Sequence, residues 1–300
     1  MAIQMAETEA VSLIDLHMHS TISDGSDTPD VIVRRVRETG IRLFSVTDHD
    51  AVQGCQIIRR GLKESDPCFI AGVEFSCRDE EGKYHILGYG YDADAEAIQA
   101  VVEHGHALRM KKVTARLKFL EERFGFVFPE DEIARLLAMP NPGKPHIGNL
   151  MAKYGFARSK DEAITQYINQ LRFREEYVGP EEAIRGILSA GGIPVLAHPF
   201  YGDGDQLILG EDMDRRIRRL LSFGLQGLEA FYSGFSGKLR QQALSFAETY
   251  GLYVTAGSDY HGTNKLIELG DTGLPADQPY PDGLRRFLED VSVWQGNHGK

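Results

Sequence analysis

Seven short apolar runs, rich in β-branched and aromatic residues, alternate with helix-like segments along most of this chain. The runs cover residues 13–19, 43–49, 68–77, 83–91, 193–200, 228–232 and 253–261. The clearest helix is predicted from Pro29 to Thr39, with Thr28 as the N-cap and Gly40 as the stop. Strand–helix alternation of this kind favours a mostly parallel sheet, open or closed into a barrel.

The alternation stops between about residues 92 and 180, where the sequence is helical in pattern throughout. Ser159, with Glu162 three residues later, predicts a helix start with a capping box. We therefore expect a discontinuous barrel domain at 11–91 and 180–295, with a helical insertion at 92–179 that binds substrate. The length of 300 residues fits one barrel of about 250 residues together with such an insertion.

Composition and charge exclude several classes of protein. The chain is 42% hydrophobic, yet no apolar run reaches the roughly 18 residues that cross a bilayer. The three cysteines form no CxxC pair, and residues 1–10 look like a frayed end rather than a signal peptide, so we expect a cytoplasmic protein. The net charge of −11 argues against membranes and long nucleic acid, but a small phosphorylated substrate stays possible. The sequence does not indicate an oligomeric state.

Most of the strand-like runs carry side chains that bind metals, mainly at their ends. Residues i and i+2 of a strand face the same way, so His17 with His19, and Asp259 with His261, can each reach one ion. The other candidate ligands are Asp24, His49, Glu74, His85 and His198. A lone histidine here is more often an ordinary hydrogen-bonded residue. Burying so many ionisable groups together without a metal would be very costly, however.

The mixture of donors narrows the choice of metal and chemistry. Imidazole and carboxylate without thiolate suit Mn²⁺, Fe²⁺ or Zn²⁺, and they disfavour a structural zinc site. We expect two or three divalent ions, with Mn²⁺ as the first choice. Such a cluster lowers the pKa of a bridging water to give hydroxide, and it holds the oxygens of an in-line phosphoryl displacement. The pattern therefore predicts a hydrolase of phosphate esters.

The motifs, taken in order, resemble those of the polymerase-and-histidinol-phosphatase (PHP) family of phosphoesterases. The matching segments are DLHMHSTISDGSDTP, VTDHDAVQG, GVEFSC, HILGYG, AHP and GSDYHG. The resemblance implies an α/β fold, a distorted (β/α)₇ barrel with an inserted all-helical subdomain and with metals at the carboxyl ends of the strands. It also implies three ligand sets in which Glu74 bridges two ions. The first is His17, His19, Glu74 and Asp259, the second is Asp24, His49 and His261, and the third is Glu74, His85 and His198.

Some members of the family have histidine at the position of Asp24. The aspartate form and the helical insertion resemble a subgroup of the family that acts on nucleotides and related small phosphates. Three substrate classes stay open. The first is a phosphate monoester, such as AMP, a 3′,5′-bisphosphate or a sugar phosphate. The second is a cyclic or ribose phosphate diester. The third is a short oligonucleotide that is trimmed from 5′ to 3′. We assign Glu74, Asp259 and His198 to catalysis. Either His198 or a water on a metal protonates the leaving alcohol.

The insertion must hold the part of the substrate that the metals do not reach. The stretch HGHALRMKKVTARLKF has five basic and no acidic residues, and Arg109, Lys112 and Arg116 share one helix face. The alternative is an ordinary solvated face. Lys144 and His146 lie at a predicted helix N-terminus, where phosphate binds readily. We therefore predict Arg109, Lys112, Lys144 and His146 as substrate-binding residues.

Two other functions are alternatives to phosphate ester hydrolysis. One is a nucleotide sensor without activity, which the intact ligand set disfavours. The other is a metal-dependent amide hydrolase, because related barrels share HxH sites.

Asp48 and Asp50 flank His49. Each is a candidate for orienting an imidazole through its second nitrogen, or for capping the loop.

Overall fold

A computed structural model describes residues 14–171, 176–203, 206–276 and 278–294. The predicted frayed end at residues 1–10 lies outside this part of the chain, as do residues 11–13 and 295 of the predicted barrel domain.

The strands form one sheet in which each strand pairs with the next along the chain. They are β1 (Ile14–Asp15), β2 (Leu43–Val46), β3 (Cys68–Asp79), β4 (Gly82–Tyr89), β5 (Ile193–Leu196), β6 (Gly227–Tyr232) and β7 (Tyr253–Gly257). The first and last strands also meet, since the Leu16 amide donates to the Ala256 carbonyl and Met18 forms a parallel bridge with Tyr260. Each predicted run overlaps one strand, and the sheet is a nearly closed, distorted barrel.

β4 runs antiparallel to both of its neighbours, whereas the other described pairs are parallel. A tight hairpin at Glu80 and Glu81 reverses the chain after β3, and Gly82 there adopts a φ of 137°, which favours glycine. The start of β4 therefore lies beside the end of β3, with His85 opposite Ser76. The sheet is thus mostly parallel, as predicted, but His85 reaches the ligand edge through the one reversed strand among the described ones.

The α-helices of the described residues are α1 (Pro29–Thr39), α2 (Gln53–Gly61), α3 (Glu96–Phe124), α4 (Glu130–Leu137), α5 (Lys144–Lys153), α6 (Lys160–Glu162), α7 (Pro180–Ser189), α8 (Gly210–Phe223), α9 (Gly237–Thr249) and α10 (Asp282–Asp290). The limits predicted for α1 are confirmed. Thr28 accepts a hydrogen bond from the Val31 amide, and Gly40 ends the helix with a φ of 77°. Among these helices, none has the length and apolar character that crossing a membrane requires.

The region between β4 and α7 contains α3 to α6, then a π-helical turn at Ala163–Tyr167 and a 3₁₀ turn at Ile168–Gln170. Ser159 caps α6 by accepting from the Glu162 amide at 3.1 Å. The capping box is only half formed, because the Glu162 carboxylate accepts from the backbone and guanidinium of Arg158 instead of from the Ser159 amide.

Buried apolar side chains form two clusters. The larger one fills the barrel and the layer between the sheet and its surrounding helices. The smaller one lies among the insertion helices around Val113, Leu120, Ile147 and Met151, all fully buried. The long α3 contributes to both clusters, because Ile98 packs into the larger one. The domain limits at residues 92 and 179 stay a prediction.

Candidate metal centre

The first predicted ligand set lies at the end of the barrel where β1, β3 and β7 meet. Nε2 of His17 and Nε2 of His19 lie 3.2 and 3.1 Å from Oε2 of Glu74. Oδ1 of Asp259 lies 3.6 and 3.4 Å from the same two nitrogens. These four side chains are almost completely buried. The donor atoms of His17, His19 and Asp259 lie close enough to one another to hold one ion, and Glu74 approaches both imidazoles.

The second set lies on the side of Asp24. Nε2 of His261 is 3.2 Å from Oδ1 of Asp24, and Nε2 of His49 is 4.0 Å from its Oδ2. The His19 ring stacks on His261 with centroids 4.1 Å apart, and Nδ1 of His19 is 3.7 Å from Oδ1 of Asp24. The geometry therefore places His19 within reach of the second set as well as the first.

The third set is built on the other oxygen of Glu74. Oε1 lies 2.8 Å from Nδ1 of His85 and 3.2 Å from Nε2 of His198, whereas Oε2 faces the first set. Nδ1 of His49 lies 3.2 Å from Oε2, so His49 is also close enough to share an ion with Glu74 and His85. All nine predicted ligands thus lie together, and the Glu74 carboxylate lies between two of the sets.

Burial and neighbouring charges shift the pKa values of the imidazoles in this cluster. Burial opposes the charged form of His17, but the Glu229, Glu74 and Asp259 carboxylates outweigh it and raise the pKa of His17 well above its usual value. Burial lowers the pKa of His49 to about 3 despite the carboxylates nearby, so this imidazole is neutral. Nδ1 of His49 is buried and makes no hydrogen bond with the described residues, although Oε2 of Glu74 lies 3.2 Å away. A divalent cation would satisfy that nitrogen, and the imidazole and carboxylate donors fit such an ion.

Asp48 acts on the cluster through serine hydroxyls. This buried carboxylate accepts hydrogen bonds at 2.7 Å from the Ser20 amide, the Ser20 hydroxyl and the Ser23 hydroxyl. The Ser23 oxygen is 3.4 Å from Nδ1 of His19. Among the contacts of the described residues, Asp48 has none with an imidazole and instead fastens the turn at residues 20–23, which agrees with the loop-capping alternative.

Two residues of β6 were missed by the sequence analysis. Oε1 of Glu229 lies 2.8 Å from Nδ1 of His17, and Oε2 accepts from the His198 amide at 2.8 Å. The Tyr232 hydroxyl donates to Oδ2 of Asp259 at 2.9 Å. The available signal was a carboxylate inside the otherwise apolar run LEAFY, since such a charge is rarely buried without a partner.

Backbone strain is concentrated at this end of the barrel. Among the described residues, the non-glycine residues with positive φ are Asp50 at 50°, His198 at 28° and Asp259 at 61°. Two of them are predicted ligands and the third follows the ligand His49. Such conformations persist only where surrounding contacts hold them, and they cluster at functional sites.

A cleft of ≈ 800 Å³, including its open mouth, joins the metal cluster to the insertion. From the barrel it is lined by Asp24, His49, Ser76, Lys83 and His85, and from the insertion by Arg109, Lys112, Arg116, Asn141, Gly143, Lys144, Pro145, His146 and Tyr177. All four residues that the sequence predicts for substrate binding therefore line one cavity with three of the predicted ligands.

Protein contacts already position these cleft residues. Lys112 Nζ lies 3.6 Å above the Tyr177 ring, and Lys144 Nζ donates to Oδ1 of Asn169 at 2.9 Å. Nδ1 of His146 accepts from the Gly143 amide at 3.1 Å, and burial lowers the pKa of His146, which favours a neutral ring.

The insertion also contacts the loop that carries His49. Arg109 pairs with Asp50, whose carboxylate accepts from the Ser76 amide at 2.8 Å, and Asn141 donates to the His49 carbonyl. Asp50 thus joins the insertion to β3, and none of its hydrogen bonds among the described residues is with an imidazole. Part of the Arg109 guanidinium is used in this contact, which the sequence did not predict.

Three curated proteins are similar to most of this chain. A 5′-3′ exoribonuclease of Haemophilus influenzae is 29% identical, with 85% of this chain and 92% of that protein covered. A phosphoribosyl 1,2-cyclic phosphate 1,2-diphosphodiesterase of Eggerthella lenta is 28% identical, with 83% and 94% covered. A 3′,5′-nucleoside bisphosphate phosphatase of Chromobacterium violaceum is 27% identical, with 83% and 87% covered.

A solved structure and a protein-family model agree with these sequence similarities. A crystal structure of a candidate metal-dependent phosphoesterase from Bifidobacterium adolescentis matches with a TM-score of 0.75 at 26% identity, over 92% of this chain and 95% of that one. The model of the PHP domain family matches residues 15–170, which is more than half of the chain. The chain therefore belongs to the PHP domain family and is a metal-dependent hydrolase of phosphoric esters.

Proposed function

We propose that this phosphoesterase hydrolyses a phosphate monoester of a nucleotide that carries a second phosphate, of the 3′,5′-bisphosphate type. The observation that carries the proposal is the cationic cleft beside the metal cluster. Lys83, Arg109, Lys112, Arg116 and Lys144 line it, with a single carboxylate among the described lining residues. In a chain with a net charge of −11, so much positive charge around one cavity favours an anionic ligand there.

The length of the cationic row supports a substrate with more than one phosphate. Arg109 and Arg116 are seven residues apart on α3, which corresponds to about 10 Å along the helix axis. A single phosphate at the metal cluster would not reach along this row. The Chromobacterium relative is named for a nucleoside that carries phosphates at both its 3′ and 5′ positions, which supports the same substrate class.

The proposed roles follow from the three ligand sets. The bound divalent ions would supply Lewis acidity and an activated water for in-line displacement at phosphorus. Glu74 directs one oxygen to the first set and the other to the third set. His198, which follows β5, presents Nε2 to Glu74, and Asp259, which follows β7, presents Oδ1 to His17 and His19. The insertion cations would hold the second phosphate, so that the ester to be cleaved faces the metals.

A second candidate is removal of nucleotides from the 5′ end of short oligoribonucleotides. The open mouth of the cleft and the long cationic row favour it, as does the Haemophilus relative, which matches over 92% of its length. The acidic net charge counts against long nucleic acid. A steep fall in oligonucleotide binding with added salt, together with stepwise release of nucleotides, would favour this candidate.

The decisive experiment compares hydrolysis of adenosine 3′,5′-bisphosphate, AMP, ribose 5-phosphate, a cyclic ribose phosphate and a 5′-phosphorylated trinucleotide. Inorganic phosphate is measured for the monoesters, and chromatography detects the ring-opened monoester and the released nucleotides, because cleavage of a diester frees no inorganic phosphate. Metal content should be measured on the same sample. We expect the highest kcat/KM for the bisphosphate. A higher kcat/KM for the cyclic ester or the trinucleotide would overturn the proposal in favour of a diesterase or an exonuclease.

A further inference from the structure

β6 differs from the other strands because it supplies none of the nine predicted ligands. β1, β2, β3, β4, β5 and β7 each carry a predicted ligand or lead directly into one. β6 lies between β5, which leads to His198, and β7, which leads to Asp259. Its own polar side chains at this end of the barrel, Glu229 and Tyr232, contact ligands that come from other strands.

Glu229 uses both of its oxygens on ligand residues. It is fully buried, and its Oε1 lies 2.8 Å from Nδ1 of His17. A carboxylate only accepts, so Nδ1 must carry the proton in this contact. The opposite nitrogen, Nε2, is the atom that lies 3.2 Å from Glu74 in the first set. Glu229 therefore selects the imidazole orientation in which Nε2 is available to an ion.

The second oxygen of Glu229 holds a strained backbone. Oε2 accepts from the amide of His198 at 2.8 Å, and His198 has a φ of 28°. A conformation of this kind is costly unless a contact fixes it. The pairing of β6 with β7 shifts register between Glu229 and Phe231, and such bulges commonly redirect a side chain beside an active site.

Tyr232 acts in the same way on Asp259. Its hydroxyl donates to Oδ2 at 2.9 Å, and Lys265 donates to the same oxygen at 2.6 Å. Oδ1, the other oxygen, faces His17 and His19. The contact therefore holds Asp259, which also has a positive φ of 61°, with one oxygen directed at the first set.

We propose that Glu229 is a positioning residue for two metal ions at once, and that Tyr232 adds a weaker restraint on one of them. Glu229 acts on the first set through the His17 ring and on the third set through the His198 backbone. The second set, Asp24 with His49 and His261, has no contact with either residue among the described side-chain contacts. The inference rests on the ligand sets of the proposed function but not on the identity of the substrate.

The test is the metal affinity of Glu229→Gln in the full chain. A glutamine amide has one accepting oxygen and one donating NH₂ group, so it cannot accept from His17 and His198 together. The protein is titrated with Mn²⁺, and the free Mn²⁺ is measured by electron paramagnetic resonance. Two classes of site should lose about 10- to 100-fold in Mn²⁺ affinity, and the affinity of the third class should not change. Equal affinities for all classes in variant and wild type would overturn the inference.

Glu132→Gln is the matched control. Glu132 is a largely buried carboxylate of the insertion that accepts from Lys153 and Tyr154, and none of its described contacts is with a predicted ligand. Its loss should lower thermal stability and leave every Mn²⁺ affinity at the wild-type value. If Glu132→Gln weakened Mn²⁺ binding as much as Glu229→Gln, the effect would be structural and the inference would fail.

A conservative pair keeps the inference testable if Glu229→Gln does not fold. Tyr232→Phe removes only the hydroxyl that bonds Asp259, and Tyr201→Phe removes only a hydroxyl that bonds the Gly234 carbonyl. Tyr232→Phe should lower the Mn²⁺ affinity of one class of site severalfold, and Tyr201→Phe should leave all Mn²⁺ affinities unchanged. Identical Mn²⁺ binding by the two variants would contradict the inference. Because this assay measures bound metal and not reaction product, the substrate proposal can fail in the comparison of substrates without affecting this result.

Discussion

The two walls of the cleft are built in different ways. On the barrel side the polar groups, apart from Lys83, are short side chains at or near strand ends, and the ligands His17 and His19 behind them are fully buried. On the insertion side they are long cations on helices, and Lys112 and Lys144 are held by an aromatic ring and an amide oxygen. Short side chains on strands fix donor atoms closely, whereas long ones can adapt to a ligand. The comparison suggests that the barrel fixes the chemistry and the insertion fixes the substrate.

The largest effect should come from the barrel side and be the same for every substrate. Glu74→Gln removes the charge that lies between two ligand sets, so kcat/KM should fall by at least about 10³-fold for bisphosphate and monophosphate alike. A chelator should abolish phosphate release from the wild type, and Mn²⁺ should restore it. Activity that survived complete removal of metal would contradict the proposed roles of all nine ligands.

A smaller and selective effect should come from the insertion side. Lys112→Ala and Lys144→Ala should each raise KM for the bisphosphate by about 10-fold, which corresponds to about 1.4 kcal/mol, with little change for ribose 5-phosphate. Lys118→Ala is the control, because Lys118 is on the same helix, is 72% exposed and pairs with Glu122 instead of lining the cleft. Equal losses on both substrates would show that these lysines do not hold a second phosphate.

Asn141 tests whether the two walls are independent. Its amide donates to the carbonyl of His49, so the insertion contacts the backbone of a predicted ligand. Asn141→Ala should lower kcat about 3- to 10-fold on all substrates, as loss of one hydrogen bond of roughly 1 kcal/mol implies. Asn149→Ala, on the exposed face of α5, should change nothing. A change confined to KM for the bisphosphate would instead assign Asn141 to substrate binding.

The barrel wall was largely predictable because strand patterns are local. Each of the seven runs overlaps a strand, and the alternation of side chains along a strand placed His17 and His19 on one face. Glu229 was missed for a physical reason. Its partners, His17 and His198, are 212 and 31 residues away, and only the order and register of the strands bring them together. The reversal of β4 likewise depends on a hairpin that the apolar pattern does not reveal.

The insertion wall was predictable only in part. Helical spacing correctly placed Arg109, Lys112 and Arg116 on a common face, since all three line the cleft. The spacing gave no information about what each cation contacts. Arg109 pairs with Asp50, a residue 59 positions earlier that belongs to the barrel. Contacts between an insertion and its host depend on how two units pack, and no local periodicity encodes that packing.

The smallest effect on activity and metal content is expected from alkylation of the cysteines. This experiment tests whether the metal centre lacks thiolate ligands. Burial raises the pKa of Cys55 to about 12 and that of Cys77 well above its usual value, so both thiols stay protonated at pH 8. Only thiolates react readily, so an alkylating reagent should modify Cys68, which is partly exposed, and spare the other two. Mass spectrometry should locate the label, and Cys68→Ser should remove it. Metal content and activity should not change, because all nine proposed ligands are imidazoles and carboxylates. Release of metal on alkylation of the native protein would mean that a thiol contributes to the barrel wall.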